Sequence, residues 1–187
     1  MSIFLGTFNP EVQHLLVDSS VIVIIKSDHE LVLKPEPFDF KEAVLEVVRD
    51  VESEAKSKGL ALTTAISEDG DYTFVGDRVQ LVTHVLKNLV ENAVNYTVAG
   101  GVTVGLLKKG NSVLFSVKDT GIGISDEDKP NMFKEGSHGK DSLKFNVHST
   151  GYGLFSVKKI VDAHGGKVWF ETAPNKGTTF FVELPRG

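Results

Sequence analysis

The apolar positions of this chain follow a helical period in some segments and alternate in others. Between residues 77 and 97, apolar pairs recur every three to four positions, which predicts the longest helix. A second helix is predicted over residues 39–58, with Asp39 as its N-cap and Gly59 at its end. A third helix is predicted over residues 150–164. The chain is thus expected to combine helices with intervening strands.

Short stretches that are β-branched or alternate in polarity predict the strands. They cover residues 60–66, 72–75, 102–107, 113–119, 167–171 and 178–184. A turn at Lys108–Asn111 joins the third and fourth strands into a hairpin. Residues 125–149 are polar with little periodicity, so we expect a mobile loop whose unusual length indicates a functional reason.

The first part of the chain, residues 1–34, is ambiguous. The β-branched run Val21–Ile25 favours a strand, with a hairpin at positions 27–28. Residues 12–16 are equally compatible with the end of a helix. The pattern therefore leaves both a strand and a helix open for residues 12–16.

Composition narrows the class of protein. At 187 residues, the chain is long enough for one well-packed domain with a short extension. Its net charge of −5 argues against a surface built for nucleic acid, and the absence of cysteine excludes disulfides, thiolate metal sites and thiol nucleophiles. The longest apolar run, Val21–Ile25, is far shorter than the ~20 residues that span a bilayer. We therefore expect a soluble, cytoplasmic fragment without membrane contact.

Three asparagines share one stripe of the longest predicted helix. Asn88, Asn92 and Asn95 stand at positions i, i+4 and i+7. Asparagine is a poor helix former, so a solvated edge is only one explanation for this stripe. The other is a magnesium and phosphate site, because Mg²⁺ prefers hard oxygen ligands and is often shared between one or two protein oxygens and substrate phosphates.

Two glycine-rich segments lie at the ends of predicted elements. In Asp119–Ile124, a carboxylate ends a strand just before Gly121 and Gly123. An acid there can accept a hydrogen bond from an amino group, and glycines let the backbone approach a flat ligand, although a simple turn also has this pattern. Ser149–Leu154 opens a helix, where free N–H groups favour an anion.

Taken together, these motifs resemble the catalytic ATP-binding domain of two-component histidine kinases, in the GHKL superfamily with gyrase and MutL. The resemblance covers residues 35–185 and keeps the order of the family's motifs, which is more specific than any single motif. The matching segments are Glu36–Phe40, Gly76–Leu81, the asparagine box Asn88–Ala93 with Tyr96 and Thr97, the first glycine box Asp119–Ile124, the phenylalanine box around Met132 and Phe133, the second glycine box Ser149–Leu154, His164–Trp169 and Gly177–Phe180.

The resemblance implies a two-layer α/β (α+β) sandwich, in which about three helices cover one face of a mixed, mainly antiparallel sheet. It implies ATP and Mg²⁺ as the bound groups. Asn92 would ligate Mg²⁺, Asn88 and Asn95 would lie near the phosphates, and Asp119 would accept from the 6-amino group of adenine. The other residues that it places around the nucleotide are Tyr96, Gly121, Gly123, Ile124, Thr150, Gly151, Tyr152, Gly153, Leu154 and Thr178.

By the same resemblance, the activity is transfer of the γ-phosphoryl group to a histidine on a separate dimerisation domain, normally of the same full-length protein. A response regulator would act downstream. Pro35 and Pro37 are expected to break any regular element, so residues 35–187 are assigned to the ATP-binding domain. Residues 1–34 would be an extension or a remnant of the dimerisation region.

Neither N-terminal histidine is marked as the phosphoryl acceptor. His14 falls in a possible remnant of the second helix of the dimerisation hairpin. His29, followed by Glu30, imitates an acceptor motif, but the spacing to Pro35 is wrong and the stretch is predicted as a strand.

The sequence departs from the family pattern at several positions. Asn88 stands where hydrolytic relatives have a water-activating glutamate, which favours transfer over hydrolysis. Many histidine kinases have a basic residue in place of Asn95 and an arginine in place of His138, so Lys140 or Lys144 would have to supply positive charge. We expect Asn88, Asn95, His138 and Lys140 to contribute to catalysis.

Two other functions stay open. Asn95, His138 and Ser149, each of which departs from the family pattern, are compatible with a nucleotide-binding regulatory module that has weak or no kinase activity. A serine kinase of the anti-sigma type would share the pocket. The segment Glu36–Phe38 and the C-terminal motifs favour the histidine kinase.

Overall fold

The first described segments form a small antiparallel sheet. A computed structural model describes residues 13–18, 21–26, 29–68, 70–136 and 152–186. The first three strands of the chain, which form this sheet, are β1 (Gln13–Asp18), β2 (Val21–Lys26) and β3 (His29–Leu33). The hairpin predicted between β2 and β3 is therefore confirmed.

The helical alternative for the N-terminal segment is wrong. His14 lies in β1 and pairs with Ile24 of β2, so it is not part of a remnant of a helical hairpin. The β-branched strand β2 offers β1 a backbone partner, and this pairing decides the structure of a segment whose own pattern was ambiguous.

The expectation that prolines break regular structure here is confirmed for Pro35, which lies between β3 and the next strand, but it is wrong for Pro37. Strand β4 (Glu36–Asp39) pairs antiparallel with a later strand, β6 (Thr73–Gly76), and Pro37 lies opposite Val75. Proline lacks an N–H, but a strand of a two-stranded sheet is bonded along one side only and tolerates it.

Helix α1 (Phe40–Ser57) begins and ends where the sequence predicts. The side chain of Asp39 accepts hydrogen bonds from the backbone N–H groups of Lys41 and Glu42, at 2.8 Å and 3.2 Å. Gly59 has a φ of +68°, the left-handed conformation that commonly ends a helix.

The longest predicted helix is confirmed, but it is not uniform. It consists of α2 (Arg78–Gln80), one π-helical segment (Leu81–Leu86) and α3 (Lys87–Asn95). The π segment ends just before the asparagine stripe. Since such a segment shifts the helical register, it affects the direction in which the stripe faces.

The last helix and the main sheet complete the domain. Helix α4 (Gly153–Ala163) begins later than predicted, because Tyr152 is its N-cap. The main sheet contains β5 (Ala61–Ile66), β7 (Gly101–Lys109), β8 (Ser112–Asp119), β9 (Lys167–Thr172) and β10 (Thr178–Pro185). Its strand order is β5-β7-β8-β10-β9, and only the β5–β7 pair is parallel.

One buried core joins the helices to this sheet. Alternate residues of β8 and β10 are buried, so these strands present one face to the helices. The core includes Val44, Val47, Leu86, Leu89, Val157 and Val161 from the helices, and Val113, Phe115, Val117, Val182 and Leu184 from the strands. The predicted fold class, a mixed and mainly antiparallel sheet with helices on one face, is confirmed. No helix within the described ranges has the length and apolarity needed to cross a bilayer.

Candidate functional site

The carboxylate of Asp119 is fixed at the end of the central strand β8. Asp119 is 6% exposed, and its Oδ1 accepts hydrogen bonds from the backbone N–H groups of Gly121, at 2.8 Å, and Thr178, at 3.1 Å. Among the described residues, Oδ2 has no hydrogen-bond partner. Burial raises the pKa of Asp119, and the two N–H groups oppose that shift. The site thus holds one buried acceptor in a fixed orientation.

The glycines around Asp119 are required by close backbone contacts. A Cβ on Gly121 would lie 2.2 Å from the carbonyl O of Tyr96, and a Cβ on Gly177 would lie 2.0 Å from the carbonyl O of Asp119. Gly123 has a φ of +67°, and its Cβ would lie 2.1 Å from the carbonyl O of Ala173. The first glycine box is therefore clamped between the end of α3 and the β9–β10 turn.

A second hydrogen-bond network fixes the far side of this loop. The hydroxyl of Thr172 accepts the backbone N–H of Ile124 at 3.0 Å and lies 2.9 Å from the hydroxyl of Thr178. It also donates to the carbonyl O of Gly177 at 3.0 Å. The sequence prediction did not include Thr172 and Gly177 among the site residues. Gly177 does belong to the matching segment Gly177–Phe180, and it directly precedes the predicted site residue Thr178.

Two members of the asparagine stripe are hydrogen-bonded to each other. Nδ2 of Asn92 donates to Oδ1 of Asn88 at 2.9 Å, and within the part of the chain that the structure describes, Oδ1 of Asn92 and Nδ2 of Asn88 have no hydrogen-bond partner. A Cβ on Gly153 would lie 2.6 Å from Nδ2 of Asn88, so the stripe faces the start of α4. Asn95 instead accepts a hydrogen bond from Lys58, at 2.6 Å.

Other predicted residues surround these groups. Tyr96 ends α3, and its carbonyl O accepts the N–H of Ile122 at 3.2 Å. Tyr152 is 51% exposed beside the start of α4, whereas Leu154 and Ile124 pack against the core. The predicted site residues His138, Lys140, Thr150 and Gly151 lie outside the described residues, as do Lys144, His148 and Ser149.

The phenylalanine box anchors the described part of the long loop. Residues 125–136 contain a short 3₁₀ turn at Lys129–Asn131. The ring of Phe133 lies 5.8 Å from that of Phe170 and 6.5 Å from that of Phe180, measured between centroids. The segment that follows the first glycine box is therefore held against β9 and β10 by Phe133.

The donor set fits a hard cation shared with phosphates better than a dedicated protein metal site. Among the described residues, no group of three His, Cys, Asp or Glu side chains is placed to hold a metal ion. The amide oxygen of Asn92 is a neutral, hard ligand of the kind that Mg²⁺ accepts when phosphates and water supply the rest.

The fold combines a mainly antiparallel sheet and one layer of helices with a buried carboxylate at the end of β8 and an amide pair on α3, a combination that suits a nucleotide-binding domain. A family model described as "Histidine kinase-, DNA gyrase B-, and HSP90-like ATPase" matches residues 76–187, more than half of the chain. The chain belongs to this family and carries the ATP-binding catalytic domain of sensor histidine kinases.

Individual relatives agree with this assignment. The chain is 31% identical over 160 residues to the signal transduction histidine-protein kinase BarA of Escherichia coli (strain K12), which covers 83% of this chain and 17% of BarA. The chain thus spans less than a fifth of that relative's length.

Solved structures give the same fold. The catalytic domain of histidine kinase ThkA superposes with a TM-score of 0.71 at 28% identity, covering 82% of this chain and 98% of that one. Full-length ShkA in complex with AMPPNP gives a TM-score of 0.72 at 27% identity, covering 83% of this chain and 32% of ShkA. ThkA in complex with the response regulator protein TrrA matches with a TM-score of 0.68 at 27% identity, covering 83% of this chain and 43% of that one.

Proposed function

We propose that this chain binds Mg·ATP between α3, the start of α4 and the first glycine box, and that it delivers the γ-phosphoryl group to a histidine on a separate dimerisation domain. The observation that carries the proposal is the geometry of Asp119. Its Oδ1 is held by two backbone N–H groups, and its Oδ2 has no partner among the described residues.

The fixed carboxylate selects adenine. An ionised Asp119 can only accept hydrogen bonds, and the 6-amino group of adenine donates one. Guanine would present a carbonyl oxygen there, and leaving a buried charge unsatisfied costs roughly 1–3 kcal/mol or more. The N–H of Thr178 orients the carboxylate, and Thr178 would also border the base. The other residues that would border the base are Gly121, Gly123 and Ile124, and Tyr96 would flank it.

The asparagines receive the phosphate end. Asn92 would hold Mg²⁺ through Oδ1, because its Nδ2 is already committed to Asn88. Bound Mg²⁺ would neutralise charge on the phosphate oxygens. Asn88 would donate to a phosphate oxygen through Nδ2, and the start of α4 at Gly153, with Tyr152 and Leu154 around it, would border the same end of the nucleotide.

The pocket is suited to transfer rather than hydrolysis. The neutral amide of Asn88 cannot take a proton from water, so an attacking water molecule is not activated there. In the proposed transfer, a nitrogen of the acceptor imidazole forms a bond to the γ-phosphorus as the bond to the β–γ bridging oxygen breaks. ADP leaves, and the imidazole loses its N–H proton. A response regulator would then receive the phosphoryl group, in line with the complex of ThkA and TrrA.

Calorimetric titration of the chain with ATP tests the site. We expect Mg²⁺-dependent binding that is lost in Asp119→Ala and in Asn92→Ala, with ATP preferred over GTP. Asp126→Ala, which removes an exposed carboxylate from the neighbouring loop, is the matched control and should bind normally. Unchanged affinity in both site variants would contradict the assignment.

A further inference from the structure

A lysine at the C-terminal end of another helix, α1, reaches the asparagine stripe. Lys58 follows α1 directly, and its Nζ lies 2.6 Å from Oδ1 of Asn95, a residue 37 positions later. The same Nζ lies 3.0 Å from a carboxylate oxygen of Glu54 and 3.4 Å from the carbonyl O of Val94. Among the described residues, Lys58 is the basic side chain that hydrogen-bonds to a member of the stripe.

The stripe without Lys58 carries no charge. Asn88, Asn92 and Asn95 are neutral amides, which can orient a phosphate by hydrogen bonds but cannot neutralise it. The polyphosphate of ATP carries several negative charges, and a cation within a few ångströms stabilises such a group more than a dipole does. The ammonium of Lys58, hydrogen-bonded to Asn95, therefore supplies the positive charge that the stripe lacks.

We propose that Lys58 is a binding residue for the polyphosphate end of the nucleotide, and that Asn95 is the positioning residue that directs its ammonium there. This inference rests on the proposed function. It assigns to α1 a charge that the sequence led us to seek in Lys140 or Lys144. The helix stripe supplies the geometry, because residues three and four apart lie on the same face, and Asn95 is three residues from Asn92.

The existing partners of Lys58 do not prevent this role. The side chains of Lys58 and Glu54 are 36% and 43% exposed, and an ion pair of that kind is weak in water. The contact to Val94 is long. An ammonium has three N–H donors, so a phosphate oxygen can replace Glu54 or Val94 while the short bond to Asn95 remains.

A purely structural role makes a different prediction. If Lys58 only ties the end of α1 to α3, its removal should lower the stability of the folded chain and weaken all ligands alike. If it contacts the polyphosphate, its removal should weaken ATP and spare adenosine, which has the base but no phosphate.

The test is calorimetric titration of the 187-residue chain with Mg·ATP and with adenosine, in the wild type and in Lys58→Met. We expect the ATP affinity to fall about tenfold and the adenosine affinity to stay within twofold. Lys56→Met removes the same charge from an exposed position in the last turn of α1 and should leave both affinities within twofold. Asn95→Lys, added to Lys58→Met, places an ammonium on the stripe and should restore most of the ATP affinity.

Three results would overturn the inference. These are an unchanged ATP affinity in Lys58→Met, an equal loss for ATP and adenosine, and an equal effect of Lys56→Met. A wild-type chain that binds neither ligand would overturn the proposed function and this inference with it. A wild type that binds ATP, beside a Lys58→Met variant that binds it equally, would overturn the role of Lys58 alone.

Discussion

At the scale of single residues, the site depends on glycine positions at which a Cβ would clash with neighbouring backbone. Asp119 is oriented by two backbone N–H groups, and those groups are in place because Gly121 and Gly177 allow backbone to approach within hydrogen-bond reach. Gly123 adds a left-handed φ of +67° to a close contact with the carbonyl of Ala173. The position of the carboxylate is thus set by backbone packing around it.

A matched pair of glycines separates backbone strain from this packing. Gly59 has nearly the same φ, +68°, but nothing lies within 4 Å of where its Cβ would be. Gly59→Ala should therefore lose only the ~1–2 kcal/mol of the left-handed conformation. Gly123→Ala should lose a further ~1–3 kcal/mol of unfolding free energy because its Cβ meets backbone, and it should lose ATP affinity. Denaturant unfolding of both variants measures the difference; equal destabilisation would contradict the packing argument.

At the scale of elements, one partly buried network joins three segments. Asp77 caps α2 by accepting the N–H of Gln80 at 3.0 Å, and its other oxygen accepts the N–H of Lys34 at 2.9 Å. Its own N–H donates to Nε2 of His164 at 3.0 Å. Since a backbone N–H can only donate, Nε2 is unprotonated, and Nδ1–H donates to the carbonyl O of Ile160 at 2.8 Å. The ends of β3, α2 and α4 are therefore tied to one neutral histidine.

This network predicts a pH dependence of stability. Burial lowers the pKa of His164 below its ordinary value of about 6.5. Below that pH, the unfolded chain binds more protons at this position than the folded chain does, so the folded state loses stability as the pH falls. The contribution is complete above the unfolded pKa and is lost as the pH falls through the folded one.

His164→Gln keeps a side-chain acceptor but removes the titrating group. We expect the unfolding free energy of this variant to fall less between pH 7.5 and pH 5.5 than that of the wild type. Because Asp119 and all other acids are common to both proteins, the difference between the two curves isolates His164. Parallel curves would show that the histidine does not couple to folding.

The sequence pattern predicted most elements but not their partners. The helices and the strands of the main sheet were found because each has a clear period, a cap or a glycine stop, as at Asp39 and Gly59. The strand at His14 was left open because the pattern of its own segment is ambiguous without its pairing to β2, and the pairing of β4 with β6 was missed because the partner lies far along the chain. The contact of Lys58 with Asn95 was missed for the same reason.

At the scale of the whole molecule, the proposed site draws on both the sheet and the helices. In the proposed function, β8 and the start of β10 would form the adenine end, and α3 and the start of α4 would form the phosphate end. The proposed site residues would position ATP, but they include no phosphoryl acceptor. Phosphoryl transfer by this chain would therefore require a second domain that carries the acceptor.

Phosphoryl transfer to a supplied acceptor tests that claim most directly. The chain would be incubated with Mg²⁺, γ-labelled ATP and a dimeric helical-hairpin domain that carries a phosphoacceptor histidine. We expect label on the acceptor that survives base and heat and is lost in acid, and no label with the Asn92→Ala variant. Absence of transfer by a chain that binds ATP, or an acid-stable product on a serine, would contradict the account.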